Sequence, residues 1–145
     1  MAVRVGWLVM TILLAAALLG ATGGGGVLSS QSMVVGTSRI DLPAVSRWAA
    51  ADTMTITLSE PTARSTVTVP AAFGDTFSVD AITPTPSSVI GSPDGDTYIF
   101  ELSPQTGEVS IDFSIRAEHP VWRTRLTPFS VNGTRSAASI VTVLP

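Results

Sequence analysis

Alternation of apolar and polar residues dominates the chain after residue 32. The clearest example covers residues 109–116, VSIDFSIR, where four apolar residues alternate with Ser, Asp, Ser and Arg. A strand places these two sets on opposite faces, whereas a helix would spread the polar residues around its axis. We predict a strand with Ile111 and Phe113 facing the core and Ser110 and Asp112 facing solvent, because a one-residue slip would bury the polar set instead.

The same pattern recurs in shorter segments. It is regular at residues 54–58 and 66–69, and weaker in segments rich in β-branched or aromatic residues at 33–42, 77–82, 97–102, 122–131 and 139–144. No amphipathic helix separates these segments, which favours antiparallel pairing over parallel crossovers. We therefore predict an all-β fold, an antiparallel sandwich of about seven or eight strands over residues 33–145. Its architecture resembles that of immunoglobulin-like exported domains, a likeness that implies no site.

The N-terminal residues follow a different pattern. No charged residue lies between Arg4 and Arg39, and residues 5–22, VGWLVMTILLAAALLGAT, are almost entirely apolar. Their length is close to the ~20 residues with which a helix crosses a bilayer. We predict that residues 1–22 form a transmembrane anchor with Trp7 at headgroup level. Arg4 then stays cytoplasmic and the C-terminal domain lies outside the cell membrane.

A cleaved signal peptide is the alternative, and the domain would then be secreted. Such a peptide has the same basic start and apolar stretch, and Ala21-Thr22-Gly23 offers a cleavage site with small residues. We favour the anchor because the apolar stretch exceeds the ~7–15 residues usual in a signal peptide.

The rest of the chain divides into two parts. Residues 23–32 contain four glycines and three serines, which predicts a flexible linker. Residues 33–145 show no internal repeat or second change of composition, which predicts one extracytoplasmic domain with a loop or sheet crossover at the Pro/Ser/Thr stretch 83–88. The chain has no cysteine, so its core must stabilise the domain without disulfides.

The charge and composition argue against several function classes. The formal net charge is −3 and all eight basic residues are arginines, without the basic cluster that nucleic-acid binding requires. One histidine, no cysteine and no lysine leave few nucleophiles, bases or metal ligands. We expect no nucleic-acid partner, no cofactor and no metal. The abundance of Ala, Thr, Val, Gly and Pro is typical of a GC-rich bacterial genome.

His119 is the only histidine, and any general base would have to be this residue. It follows the most regular predicted strand and precedes Pro120, which is typical of a solvated turn. Ser114 and Asp112 are near in sequence, but a catalytic triad needs hydrogen bonds between its members. We therefore interpret His119 as a turn residue.

Two further motifs have turn chemistry as their simplest explanation. Residues 92–96, SPDGD, supply two carboxylates, whereas calcium takes ~6–8 oxygen ligands. Asp-Gly is a common hairpin dipeptide, so we predict a hairpin turn here. Asn132-Gly133-Thr134 matches the glycosylation pattern, and we interpret it as an Asn-Gly turn.

Arg116, Arg123 and Arg125 are the candidate binding residues. Arg123 and Arg125 alternate with Trp122 and Leu126, so a regular strand would place both arginines on one face and the apolar residues on the other. We predict that Arg116 joins them from the preceding strand of a hairpin. Such a face would bind lipid headgroups, an anionic envelope polymer or an acidic protein. The alternative is that the arginines protect an edge strand from aggregation.

The aromatic residues of the domain are interpreted as core. Trp48, Trp122 and Tyr98 are scattered along the chain and predict no aromatic cluster for sugar stacking. We expect all three to pack in the interior, with Trp48 covering one end of the core.

Two function classes remain. We expect a membrane-tethered, non-enzymatic interaction or structural module of a bacterial cell envelope, with an envelope protein or polymer as partner. The alternative is a secreted domain that binds a small ligand or glycan, or a carboxylate-dependent enzyme of the glycosidase type.

Overall fold

A computed structural model describes residues 2–18, 29–103 and 107–145. The apolar N-terminal segment begins with helix α1 (Ala2–Leu18). The described elements that follow, in chain order, are β1 (Ser30–Val35), β2 (Ser38–Pro43), β3 (Val45–Arg47), β4 (Ala51–Leu58), β5 (Arg64–Pro70), α2 (Ala71–Gly74), β6 (Phe77–Thr83), β7 (Ser88–Ser92), β8 (Gly95–Glu101), β9 (Val109–Ala117), β10 (Val121–Leu126), β11 (Ser130–Val131), β12 (Thr134–Arg135) and β13 (Ser139–Leu144).

The strands of the described residues form three sheets. Sheet I has the order β1-β2-β4-β9-β6, sheet II the order β12-β11-β5-β8-β7, and sheet III the order β10-β13-β3. All pairs are antiparallel except β13 with β3, which run parallel. The predicted all-β character and antiparallel pairing are therefore confirmed, whereas the predicted number of seven or eight strands is too low, because the described residues form thirteen strands and several of these are only two or three residues long.

Strand β9 lies in the interior of sheet I, and its face assignment is confirmed. Ile111 and Phe113 are fully buried and Ser110 is exposed. Asp112 differs from the expectation because it is half-buried and accepts a hydrogen bond of 2.7 Å from the Thr55 hydroxyl on β4. Residues of all three sheets contribute to the same buried cluster around this strand.

The short helix α2 closes one end of this core. It connects β5 of sheet II with β6 of sheet I, directly after Pro70 ends β5. Phe73 on α2 is fully buried, and its ring centroid lies 5.0 Å from that of Phe77 and 5.5 Å from that of Phe129. Three aromatic rings in contact bury enough apolar surface to hold such a short helix in place.

Turn residues explain where the strands end. Residues 83–88 connect sheet I with sheet II, which confirms the predicted crossover. Pro93 and Asp94 form the turn of the β7–β8 hairpin, as predicted, and a side chain at Gly95 would place its Cβ 2.1 Å from the Val69 carbonyl oxygen. Asn132 and Gly133 both have positive φ and form the predicted turn between β11 and β12.

Some boundaries differ from the sequence-based prediction. The segment 33–42 is divided by a turn at Gly36 (φ 63°), and the segment 122–131 is divided between β10 and β11. Strand β1 begins at Ser30, inside the stretch predicted as linker, because residues 30–32 pair with β2. Ser29, also predicted as linker, is buried, and the remaining linker residues, 23–28, lie outside the described residues.

Helix α1 accounts for only part of the predicted anchor. Its large apolar side chains from Val5 to Leu14 are 52–69% exposed. Within the part of the chain that is described, no helix is both long and apolar enough to cross a membrane. The last part of the predicted anchor, residues 19–22, lies outside the described residues.

The burial of β9 generates a stability prediction. Phe113→Ala should lower the free energy of unfolding by about 3–5 kcal/mol, because it removes a buried ring and leaves a cavity beside Tyr98, whose ring centroid is 5.3 Å away. Asp112→Ala should lower it by about 1 kcal/mol, since it removes one hydrogen bond. Urea unfolding of the full chain in detergent measures both losses. Comparable losses, or the reverse order, would show that the face assignment is wrong.

Candidate functional site

Strand β10 contains an irregularity that determines which of its residues are exposed. Val121 pairs with Val143 and Thr124 with Val141, so three steps along β10 match two steps along β13. Arg123 supplies the extra residue and has a positive φ of 51°. A β-bulge of this kind shifts the alternation of side chains by one position.

The bulge places Trp122 on the outer face of sheet III. Val121 and Leu126 pack against the core on either side of the bulge, whereas Trp122 and Arg125 point away from it. Trp122 is 77% exposed and Leu126 is fully buried. The prediction that Trp122 packs in the core beside Leu126 is therefore wrong, because it assumed a regular strand.

Strands β13 and β3 extend this face. On β13, Ser139, Val141 and Val143 are buried and the residues between them point outward. On β3, Ser46 is buried and its two neighbours point outward. We name the outward set, together with the exposed bulge residue, the Trp122 face, which consists of Val45, Arg47, Trp122, Arg123, Arg125, Ile140, Thr142 and Leu144.

An apolar cleft lies at one end of the Trp122 face. It has a volume of about 290 Å³ and is lined by Trp122, Leu144, Pro120 and Pro145, with Val121 and Val143 beneath. Ile140, which pairs with Arg125, is 46% exposed further along β13. The face therefore combines exposed apolar side chains with arginines.

Trp48 lies at the junction of sheet III and sheet I. Its backbone N–H donates to the Leu144 carbonyl (2.7 Å), and its indole N–H donates to the Glu118 carbonyl (3.0 Å). It also forms a parallel bridge with Ala117. Trp48 is 56% exposed, so its predicted place in the core is wrong, whereas the predicted burial of Tyr98 is confirmed.

The charge of sheet III has one sign. Its three strands contain Arg47, Arg123 and Arg125, and none of the eleven acidic residues of the chain. The strands of sheet I, by contrast, contain two arginines and four aspartates. No ion pair joins Arg123 or Arg125 to a carboxylate within the described residues. The chain is acidic as a whole, and sheet III is its basic side.

Arg116 does not belong to this face. It lies on β9 in sheet I, and its guanidinium forms an ion pair of 2.9 Å with Asp80 on β6. Strands β9 and β10 are consecutive but belong to different sheets, so the predicted hairpin between them is wrong. The third arginine of the face, beside Arg123 and Arg125, is instead Arg47. No local pattern predicts this, because Arg47 reaches the face through the parallel pairing of β3 with β13.

The residues considered for catalysis are not assembled. His119 is exposed in the loop between β9 and β10, and Ser114 is exposed on β9. In the described parts of the chain no hydrogen bond connects His119 with Ser114 or Asp112, and the acceptor Asp112 is bonded to Thr55. Burial, and to a smaller extent the charge of Asp96, raises the pKa of the Tyr98 phenol, which keeps it neutral.

A larger, more polar groove lies outside the Trp122 face. It has a volume of about 770 Å³ and runs between sheet II and the loop after β10. Its lining includes the hydroxyl groups of Thr68, Ser92 and Ser130, and one charge of each sign at Asp94 and Arg135. The groove has no aromatic residue on which a sugar ring could stack.

The bulge generates a prediction about sheet III. Trp122→Ala should change the free energy of unfolding by no more than about 0.5 kcal/mol, because the side chain is largely exposed. Leu126→Ala should lower it by about 2–5 kcal/mol, because this side chain is buried. Urea unfolding of the full chain gives both values. A loss of several kcal/mol at Trp122 would mean that the indole packs in the core and that the bulge is misplaced.

Comparison with known proteins identifies no family for this chain. No protein-family model matches the chain. No curated protein matches it either.

Proposed function

We propose that this chain is a non-enzymatic interaction module of a bacterial cell envelope, tethered to a membrane by its N-terminal segment and binding its partner through the Trp122 face. The observation that carries the proposal is the β-bulge, which places Trp122 and Arg125 on the exposed face of a sheet whose strands contain no acidic residue. Tryptophan and arginine are the residue types that contribute most to binding at protein surfaces. The domain is then an immunoglobulin-like sandwich that presents one sheet face.

Helix α1 supports the tether. Its large apolar side chains from Val5 to Leu14 are more than half exposed, and a helix that is apolar on all sides needs an apolar environment. Residues 19–22 continue the apolar segment, and Arg4 is the positive residue that stays on the cytoplasmic side. The domain is then outside the cell.

The distribution of reactive groups supports binding over catalysis. General acid–base or nucleophilic chemistry needs two or more groups within hydrogen-bond reach. The candidates His119, Ser114 and Asp112 lack such contacts with one another within the described residues. The Trp122 face has arginines and apolar side chains, which bind anionic or amphipathic surfaces and do not transfer protons at neutral pH.

A second candidate function is favoured by the polar groove. A small ligand with both a positive and a negative group would fit between Asp94 and Arg135, with hydroxyl groups along the wall. Arg135→Ala distinguishes the two functions, because it alters the groove and leaves the Trp122 face unchanged.

The tether is tested by mass and extraction. The full chain, expressed with a C-terminal tag in a bacterium, should keep residues 1–22 and remain in the membrane fraction at alkaline pH. Leu13→Arg should release part of it, because arginine at the centre of a membrane helix costs about 2.5–3.5 kcal/mol on insertion scales. Leu13→Val is the matched control and should stay bound.

A mature N-terminus at Gly24 or beyond would contradict the tether. The domain would then be secreted, and the polar groove would become the better candidate site. Release of the unaltered chain at alkaline pH would contradict it in the same way.

A further inference from the structure

We propose that the Trp122 face rests on the anionic lipid surface of the membrane to which the chain is tethered. This inference rests on the proposed tether. It names the occupant of the face, and it implies that the domain has one preferred orientation on the membrane.

The charge distribution favours an anionic surface. Sheet III contributes three arginines and no carboxylate, whereas the strands of sheet I contain twice as many aspartates as arginines. An anionic membrane therefore attracts one side of the domain and repels another. The nearest acidic residue in sequence is Glu118, in the loop before β10, and its backbone carbonyl is held by the Trp48 indole.

The apolar residues favour lipid over a purely electrostatic partner. Trp122 projects from the face with 77% of its surface exposed, and Ile140 and Leu144 lie on the neighbouring strand. Tryptophan is enriched at the level of lipid headgroups because its ring is apolar and its N–H is polar. Arginine side chains can lie along such a surface with their charged ends in the headgroup layer.

The tether joins the domain beside this face, so the face lies within reach of the membrane. The Ser29 carbonyl accepts hydrogen bonds from the backbone N–H groups of Ala44 (2.7 Å) and Val45 (3.2 Å), at the start of β3. The Gln31 side chain donates to the Ile140 carbonyl at 2.9 Å. The chain from α1 therefore joins the domain at the border of the Trp122 face. Fully extended, the path from Leu18 to Ser29 measures at most about 40 Å.

Protection of an edge strand would not explain these features. Strand β10 is the edge of sheet III, and arginines together with a bulge do discourage edge-to-edge pairing. An exposed tryptophan beside them works against that purpose, because it adds an apolar surface that promotes association. The tryptophan is explained when the face meets the headgroup layer.

Fluorescence of Trp122 tests the inference in the full chain. Trp7→Phe together with Trp48→Phe leaves Trp122 as the single tryptophan. The chain is reconstituted into vesicles of phosphatidylcholine with phosphatidylglycerol, and into vesicles of phosphatidylcholine alone, each with and without brominated phosphatidylcholine. We expect a blue-shifted emission that bromine quenches in the anionic vesicles, with weaker quenching in the neutral ones and at high salt.

Arginine variants test the contribution of charge, and Arg64→Ala is the matched control. Arg123→Ala and Arg125→Ala should each lower the ratio of docked to undocked domain by about fivefold, as expected for a basic residue at an anionic surface. Arg64→Ala removes the same charge from β5 in sheet II and should leave the ratio unchanged. Hydrogen exchange of the unaltered chain over residues 121–126 provides a second readout that needs no substitution.

The outcomes separate the two proposals. A chain that does not float with the vesicles overturns the tether and, with it, this inference. If the chain floats but brominated lipid does not quench its Trp122 emission, the lipid contact alone is overturned. Protection of residues 121–126 from hydrogen exchange that occurs only after polyglutamate is added assigns the face to an acidic polypeptide. This result also overturns the lipid contact. Equal effects of Arg64→Ala and Arg125→Ala reject the specific role of sheet III.

Discussion

The position of β13 between two partners is the constraint on which the candidate site depends. Its antiparallel pairing with β10 brings Trp122 and Arg125 to the outer face, and its parallel pairing with β3 brings Arg47 there. Its own buried residues, Val141 and Val143, fix it to the core. Because the inner side of the strand is held by packing, its outer side has a defined orientation, and the residues it collects form one surface.

Much of the strand content could be predicted from the sequence. Residues 109–116 and 54–58 alternate regularly, and alternation follows directly from the geometry of a half-buried strand. The turns at Pro93-Asp94 and Asn132-Gly133 could also be predicted, since Asp-Gly and Asn-Gly dipeptides favour hairpin turns.

The site was harder to predict because it depends on long-range pairing and on one irregular residue. Arg123 looks like any other strand residue in the sequence, yet its positive φ shifts the alternation and exposes Trp122. Strand β3 is three residues long, too short for any periodic pattern, and Arg47 is found only through its pairing with β13. The hairpin predicted for Arg116 assumed that neighbouring strands in sequence pair, whereas the chain crosses between sheets there.

The division of charge between the sheets connects the fold with the proposed function. Arg116 and Arg39 on sheet I are both paired with aspartates, at Asp80 and Asp41, so their charges are locally balanced. Exposed ion pairs of this kind contribute little to stability. On sheet III, Arg123 and Arg125 lie on strands without carboxylates, and within the described residues no ion pair joins either of them to a carboxylate. A tethered domain with this asymmetry has a basic, partly apolar side that is available for contact and an acidic side that stays in solvent.

The orientation of residues in β10 can be measured most directly by cysteine reactivity, because the chain has no cysteine of its own. Single cysteines placed at Val121 and Trp122 in the full chain are treated with a maleimide under native conditions, where only an accessible thiolate reacts rapidly. The bulge predicts fast labelling at position 122 and slow labelling at position 121. The reverse order would mean that β10 alternates regularly, that Trp122 faces the core, and that the proposed binding face does not exist.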